Sequence, residues 1–327
     1  MTPGDDWKFD APVPENEVSP GERPSFSILI PAHQAEGTIG RAVESALAQT
    51  YPAKEIIVCD DGSTDGTQLA LHPYRNAVRL LIKENGGAAS ARNTAAAAAS
   101  GDFVAQLDAD DVFEPRRLEA LAELGRTRPD LDILVTDVYF VVGGRRTGRF
   151  YASNEFALGD QRTAILLSCF VGGWPAIRLS RLREIGGYDE SLPVAHDWDA
   201  AIRLIFAGAS AGLVDSPLME YTLGASSLTS ARSRALEDRV RVLEKTLAST
   251  RLTPGERRTA EESLRRHRRR AASASLDDAV QVGARGSALR VVTRRGAGVR
   301  TRAAAATVVV APAPVQRFVA RRRRSTT

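Results

Sequence analysis

The sequence predicts an α/β fold: a mostly parallel sheet flanked by helices, followed by a helical, arginine-rich C-terminal extension. Three observations predict it. Short apolar runs stop at proline, aspartate or glycine. Stretches with helical spacing of apolar residues lie between those runs. Charge is also divided along the chain. Residues 251–327 hold 19 Arg, no Lys and 5 acidic residues, whereas residues 1–250 carry a net −10.

The first half alternates element types. Ser25–Ile30 is an apolar run closed by Pro31 and reads as a buried strand. Thr38–Gln49 places Ile39, Val43, Ala46 and Leu47 on one helical face, with Thr38 as the expected N-cap. Glu55–Cys59 is the next strand, and Asp61–Gly66 is a turn cluster that leads to a short helix, Thr67–Leu71. Val78–Lys83 is a third strand. Asn85-Gly86-Gly87 then opens an alanine-rich helix, Ala88–Ser100, before a fourth strand at Asp102–Leu107. Strands alternating with short helices imply parallel pairing with right-handed crossovers. A Gly-x-Gly-x-x-Gly after the first strand is absent, so a dinucleotide is not favoured.

Pro115 starts a further helix with Leu118, Leu121 and Leu124 inward. Asp132–Val138 and Thr147–Tyr151 read as strands separated by Gly143-Gly144. An aromatic, glycine-rich segment, Phe170–Pro175, precedes a helix at Asp197–Ala207. A last short strand, Gly212–Val214, leads to a Ser/Thr-rich loop at Gly224–Ser230. Beyond it, Ala235–Leu247 is amphipathic, and Thr253-Pro254-Gly255-Glu256 fits a capping box with proline in the first helical position.

The expected organisation is a disordered acidic leader (1–24), a catalytic domain (25–230) and the helical extension (231–327). The catalytic domain divides into a nucleotide-binding half (25–111) and an acceptor half (112–230). Hydrophobic residues make up 43% of the chain, enough for a sizeable core. The two cysteines, Cys59 and Cys169, do not form a disulfide framework. The leader has no basic start and no apolar run, so it is not a signal peptide. No stretch reaches the about 20 apolar residues of a spanning helix. A cytoplasmic protein is expected. Val315, Phe318 and Val319 beside Arg321–Arg324 suggest peripheral contact at the inner face of the cell membrane. Nucleic acid is disfavoured, because the tail holds a single aromatic, Phe318.

Chemistry is expected where the strands end, since ligands of open parallel sheets bind beyond the carboxyl ends. The first strand ends in Pro31-Ala32-His33, the second in Asp60-Asp61-Gly62 and the fourth in Asp108-Ala109-Asp110-Asp111. Carboxylates gathered on one edge repel unless a cation joins them. Asp108 and Asp110 are two apart, so in extended backbone they point to the same side. Oxygen-only ligation favours Mg²⁺ or Mn²⁺ over Zn²⁺.

Several segments together resemble family 2 inverting glycosyltransferases. Ile28–Glu36, Val58–Thr67, Gly86–Asn93 and Leu107–Asp111 are similar to that family's opening, second, third and metal motifs. Gly186–Glu190 and His196–Asp199 resemble its acceptor-side motifs, in the same order, so the resemblance covers about residues 25–215. It implies the two-subdomain GT-A fold and transfer of a sugar from a nucleotide donor, with UDP-sugar expected, to a glycan or lipid-linked acceptor in cell-envelope or exopolysaccharide synthesis. It implies that Pro31, Ala32, His33, Glu36, Asp60, Asp61, Arg92 and Asp108 contact the donor nucleotide. Asp110, with Asp108, would hold the metal, and Asp197 would be the catalytic base. Gly173, Trp174 and His196 would face the acceptor. The family more often has Tyr at position 33 and usually has Glu-Asp where this chain has His196-Asp197.

Two other readings compete. A sugar nucleotidyltransferase would need a Gly-rich, basic phosphate loop after the first strand, which Pro31–Gly40 lacks. A degenerate nucleotide-sugar-binding protein would not need to keep Asp108, Asp110 and Asp197, all of which are present.

Overall fold

The computed structural model describes residues 23–224 and 232–282, together with Ala305. The expected leader falls almost wholly outside these residues, as do most of the Ser/Thr-rich loop and the Val315–Arg324 segment. The chain divides into two compact units, residues 1–224 and 225–327.

The first unit is built on one nine-stranded sheet. Its strands are β1 (Phe26–Ala32), β2 (Glu55–Asp60), β3 (Arg79–Ile82), β4 (Phe103–Gln106), β5 (Val112–Phe113), β6 (Ile133–Val142), β7 (Arg145–Arg149), β8 (Ala176–Arg178) and β9 (Ala211–Thr222). They lie in the order β3-β2-β1-β4-β8-β6-β9-β5, with β7 paired to β6. Strands β1 to β4 pair in parallel. β8 runs antiparallel between β4 and β6, while β6 and β9 are parallel to each other. The sheet is therefore mixed: most of its strands run in one direction, with β5, β7 and β8 opposed to them.

The helices of this unit are α1 (Ile39–Leu47), α2 (Thr67–Leu71), α3 (Ala88–Ala98), α4 (Arg117–Thr127), α5 (Gln161–Leu167), α6 (Leu179–Glu184) and α7 (His196–Phe206). Central β1 and β4 are buried along nearly their whole length, as continuous apolar runs covered on both faces should be. The alanines of α3 carry little bulk, so this helix packs against β1 and β2 while burying Arg92 and Asn93.

Three local expectations change. Thr38 does not cap α1 with its side chain; its hydroxyl donates to Ala35 O at 3.4 Å instead. The last strand spans twelve residues rather than three. Pro217 reads as a breaker because it has no N–H for the ladder. The pairing of β6 with β9 shifts register at Asp137, which faces Pro217, so the missing donor falls at the irregularity. β5, β8, α5 and α6 carry no periodicity long enough to read from sequence. Gly143 and Gly144, both at positive φ (56° and 75°), make the β6–β7 turn, a conformation few other residues tolerate.

In the second unit, α8 (Arg232–Ser249) packs along α9 (Pro254–Val282). The capping box forms: Thr253 N donates to Glu256 Oε2 (2.7 Å) and Glu256 N to Thr253 Oγ1 (3.2 Å).

Candidate active site

The chain visits β1, moves outward through β2 and β3, then returns to β4 on the other side of β1. The carboxyl ends of β1 and β4 therefore flank a topological switch point, where open α/β sheets bind ligands. Register keeps the ends of β1 and β2 level, with Ala32 beside Asp60, whereas β4 ends at Gln106 beside Leu29, so the residues after it run on alongside the end of β1.

The loops after β1 and β2 are knitted together. Gln34 adopts a left-handed conformation (φ 51°), and its Oε1 accepts from Thr64 N at 2.7 Å. Ser63 Oγ accepts from Gln34 N, Thr67 Oγ1 from Ala35 N, and Glu36 Oε2 from Gly66 N. Gln34 was missed from sequence, because a left-handed glutamine has no local signature. His33 is exposed; its Nδ1 lies 3.0 Å from Asp61 O, and Asn85 Nδ2 lies 3.1 Å from its Nε2.

Asp60 and Asp61 have partners within the chain. Asp60 is fully buried, with Oδ1 accepting from Ser63 N (3.0 Å) and Oδ2 from Gln68 Nε2 (2.7 Å). Asp61 accepts from Lys83 Nζ and Gly86 N on Oδ1, and from Gly87 N on Oδ2 at 2.7 Å. Their oxygens thus brace the loops after β2 and β3. Asp61 also holds the turn that starts α3 and thereby positions Arg92. The crowding of acids that suggested a metal is correspondingly narrower than the sequence implies, and is concentrated at residues 108–111.

That segment is a turn, not a strand: Asp111 N donates to Asp108 O at 3.0 Å, so the extended-backbone argument for Asp108 and Asp110 does not apply. The acids still feel one another. Burial, reinforced by the charge of Asp108, raises the pKa of Asp110. Asp111 is pushed well up by burial and by both neighbouring acids. Thr222, at the end of β9, donates its N–H to Asp111 Oδ1 (2.7 Å) and its hydroxyl to Asp110 O (2.8 Å), which fixes the turn from the far side of the sheet. Beneath it, Arg117 is wholly buried, and burial lowers its pKa to about 9. Its guanidinium donates to Thr136 Oγ1 and to Trp174 O and lies over the Phe113 ring.

Arg92 joins the two halves of this unit. Its guanidinium donates to Asp108 Oδ1 and to His196 Nε2, so His196 Nδ1–H is left to donate to Leu192 O at 3.3 Å. Burial opposes the charge on Arg92, but Asp108, Tyr188 and Asp197 outweigh it and raise its pKa. His196 is pushed down to about 3, first by burial and then by Arg92, and is therefore neutral. Next to Arg92, Asn93 accepts from Tyr188 N (2.7 Å) and donates to Tyr188 O and Glu190 Oε1, docking the Gly186–Glu190 turn onto α3. Asn93 and Tyr188 were quoted within motifs without being given roles. Only the fold places them against each other, 95 residues apart in sequence.

Asp197 lies in the first turn of α7, where its Oδ1 accepts from Trp198 N at 2.8 Å. It lines one cavity together with Arg92, Tyr188, Gly172 and Gly173. A Cβ on Gly173 would lie 3.0 Å from Asp197 Oδ2. Gly173→Ala should therefore displace that carboxylate slightly and lower kcat about 10-fold with donor KM nearly unchanged; steady-state kinetics checks this. Trp174 is buried, with its Nε1 donating to Thr136 O and its ring packed between Phe150 and Tyr221. His196 and Trp174 are both buried side chains.

The Glycosyl transferase family 2 model matches residues 27–186. This segment is a glycosyl transferase family 2 domain. A relative of the chain, the Escherichia coli UDP-Glc:alpha-D-GlcNAc-diphosphoundecaprenol beta-1,3-glucosyltransferase WfgD, is 44% identical over 148 residues, covering 45% of this chain and 56% of the relative. An uncharacterized glycosyltransferase of Rickettsia typhi is 30% identical over 181 residues, 54% of this chain and 57% of its own length. The match thus extends over little more than half of either relative. The fold resembles S. aureus TarS 1–349 in complex with UDP-GlcNAc, with a TM-score of 0.62 and 19% identity, over 93% of this chain and 92% of that one. It also resembles the mannosyltransferase PcManGT from Pyrobaculum calidifontis in complex with GDP-Man and Mn2+, with a TM-score of 0.56 and 20% identity, over 91% and 88%. Both likenesses establish the GT-A-type architecture of mixed sheet and flanking helices.

Among the described residues, no group of three or more His, Cys, Asp and Glu side chains is placed to hold a metal ion, and no helix is long and apolar enough to cross a membrane. The turn at 108–111 offers hard oxygen ligands from one side only. That suits Mg²⁺ or Mn²⁺, ions commonly bound by one or two carboxylates while phosphates and water complete the shell. The raised pKa of Asp110, caused by burial and Asp108, is what a nearby cation would relieve.

Proposed function

We propose that this chain is an inverting, metal-dependent glycosyltransferase. It moves a sugar from a UDP-sugar to a hydroxyl of a glycan or lipid-linked acceptor, in cytoplasmic steps of cell-envelope or exopolysaccharide synthesis. One observation carries the reading: a single buried guanidinium, Arg92, bonds Asp108 at the end of β4 and His196 at the start of α7, one residue before Asp197. Arg92 thus ties Asp108 to the helix start that carries the candidate base, and Arg92 and Asp197 line one cavity. The UDP donor is supported by the UDP-Glc that the WfgD relative is named for and by the UDP-GlcNAc complex of TarS. The metal is supported by the Mn2+ in the PcManGT complex.

In this reading the donor base lies against Pro31, Ala32, His33 and Glu36, beside the loops braced by Asp60 and Asp61. Asp110, with Asp108, would hold Mg²⁺ or Mn²⁺, which supplies charge neutralisation to the departing diphosphate. Arg92 adds a fixed positive charge beside Asp108 and lends order to that edge of the site. Asp197 takes the proton of the acceptor hydroxyl as its oxygen bonds to the anomeric carbon. The bond from that carbon to the diphosphate breaks on the opposite face, so configuration inverts. Gly173 leaves the room this carboxylate needs.

The test is a panel of UDP-Glc, UDP-GlcNAc and GDP-Man, scored for nucleotide release and sugar transfer with Mn²⁺ or Mg²⁺. Asp110→Ala should lower turnover at least about 100-fold with the preferred donor. Release that ignores this substitution would remove the metal-site assignment.

A further inference from the structure

Among the described residues, the second unit carries a one-sided run of positive charge. α8 and α9 pack through Ala235, Leu236, Val242 and Leu243 on one helix and Ala260, Leu264, His267 and Ala271 on the other, all buried. At 100° per residue the exposed arc of α9 lies opposite that seam. It carries Arg258, Arg265 and Arg269 in one line, flanked by Arg257, Arg266 and Arg270, all exposed. Against these the arc holds two acids, Glu261 and Glu262. Arg268, at the edge, pairs with Glu244 of α8 at 2.7 Å. The ridge runs for about 20 Å along the helix.

General arginine bias does not account for this. In the first unit many arginines face carboxylates, such as Arg128 with Asp130, Arg146 with Glu114 and Glu220, Arg149 with Asp137 and Asp215, Arg178 with Asp132, and Arg203 with Asp199, and others, such as Arg75, Arg79 and Arg183, donate to backbone carbonyls. On α9 the cations outnumber the acids of their own face threefold. Such crowding repels itself and is relieved by an anionic surface. A convex, one-sided ridge matches a plane of negative charge. The helices α8 and α9 contain no Phe, Tyr or Trp on which a nucleobase could stack.

We propose that the Arg257–Arg270 face of α9 is a docking surface for an anionic phospholipid bilayer. The contact is electrostatic, since the apolar side of α9 is already buried against α8. It is separate from the Val315–Arg324 segment and does not depend on how the cleft in the first unit is read.

The experiment is co-sedimentation of the full chain with phosphatidylcholine vesicles containing 0 or about 30% phosphatidylglycerol, at low salt and in high salt. Binding should require phosphatidylglycerol and disappear at high salt. The triple variant Arg258→Glu/Arg265→Glu/Arg269→Glu should bind at least about 30-fold more weakly. A milder Arg→Gln triple, with helicity checked by circular dichroism, should also lose binding, which excludes unfolding as the cause. Deleting residues 312–327 should leave binding within about threefold. Nucleotide release by the wild type is unaffected by either result, so failure here would not touch the transferase reading. The proposal is overturned if the triple variants bind like wild type, if only the 312–327 deletion abolishes binding, or if a short RNA is preferred over the vesicles.

Discussion

Asp197→Asn is expected to lower kcat for sugar transfer about 10²–10⁴-fold while leaving donor KM within about twofold. The two side chains have nearly the same shape, and Asn Oδ1 can still accept from Trp198 N, so the start of α7 should stay folded. What disappears is the ability to take a proton. A negative charge is favoured in the first turn of a helix, so the position suits a carboxylate that must be ionised before the reaction. Donor contacts are expected at the ends of β1 and β4, away from this residue, and this separation is why KM should hold. Single-turnover transfer, with donor binding measured independently, checks the prediction. Turnover within a few-fold of wild type would move the base elsewhere.

The second large effect is on stability in acid. His196 is 3% exposed, and its Nε2 accepts from Arg92 while its Nδ1–H donates to Leu192 O. Protonation would turn a second N–H toward the guanidinium. In the folded chain its pKa is lowered to about 3, against about 6.5 when unfolded, so the unfolded state binds the proton more readily. Stability is therefore complete above about pH 6.5 and falls as pH drops from there toward 3, by on the order of 4 kcal/mol at the limit. Burial also lowers the pKa of His267, which acts in the same direction. The raised pKa values of Asp110 and Asp111 act in the opposite direction, their contribution being lost as pH rises. Comparing wild type with His196→Gln isolates the one group, because glutamine can accept from Arg92 but does not titrate. Urea unfolding followed by tryptophan fluorescence at pH 7.5, 5.5 and 4.5 should show a steep loss for wild type and a shallower one for the variant. Equal slopes would refute it.

Much of this was legible in the chain. The first four strands and α3 appear within a residue or two of their expected places, because continuous apolar runs and small-residue helices are local signals that burial on both faces demands. The glycine pair at 143–144 marked its hairpin for the same reason, since only that residue adopts the required φ cheaply. β9 was cut short because Pro217 reads as a stop, and only the facing strand could supply the irregularity that accommodates it. β5, β8 and α5 are too brief for periodicity to announce them.

The site divides in the same way. Residue type and position at a strand end singled out Asp108 and Asp110, and the family resemblance singled out Arg92 and Asp197. Which acids remain open was decided by partners the fold supplies: Lys83 and the Gly86–Gly87 amides engage Asp61 from beyond β3, and Thr222 reaches Asp111 across 111 residues, while Asp60 is engaged locally by Ser63 and Gln68. The sequence by itself determined the alternation of elements and the inventory of charged groups, because both follow from side-chain chemistry and backbone period. The tertiary structure alone decided which charges face one another. A carboxylate becomes a brace or a ligand according to the donors that the fold brings within about 3 Å of it.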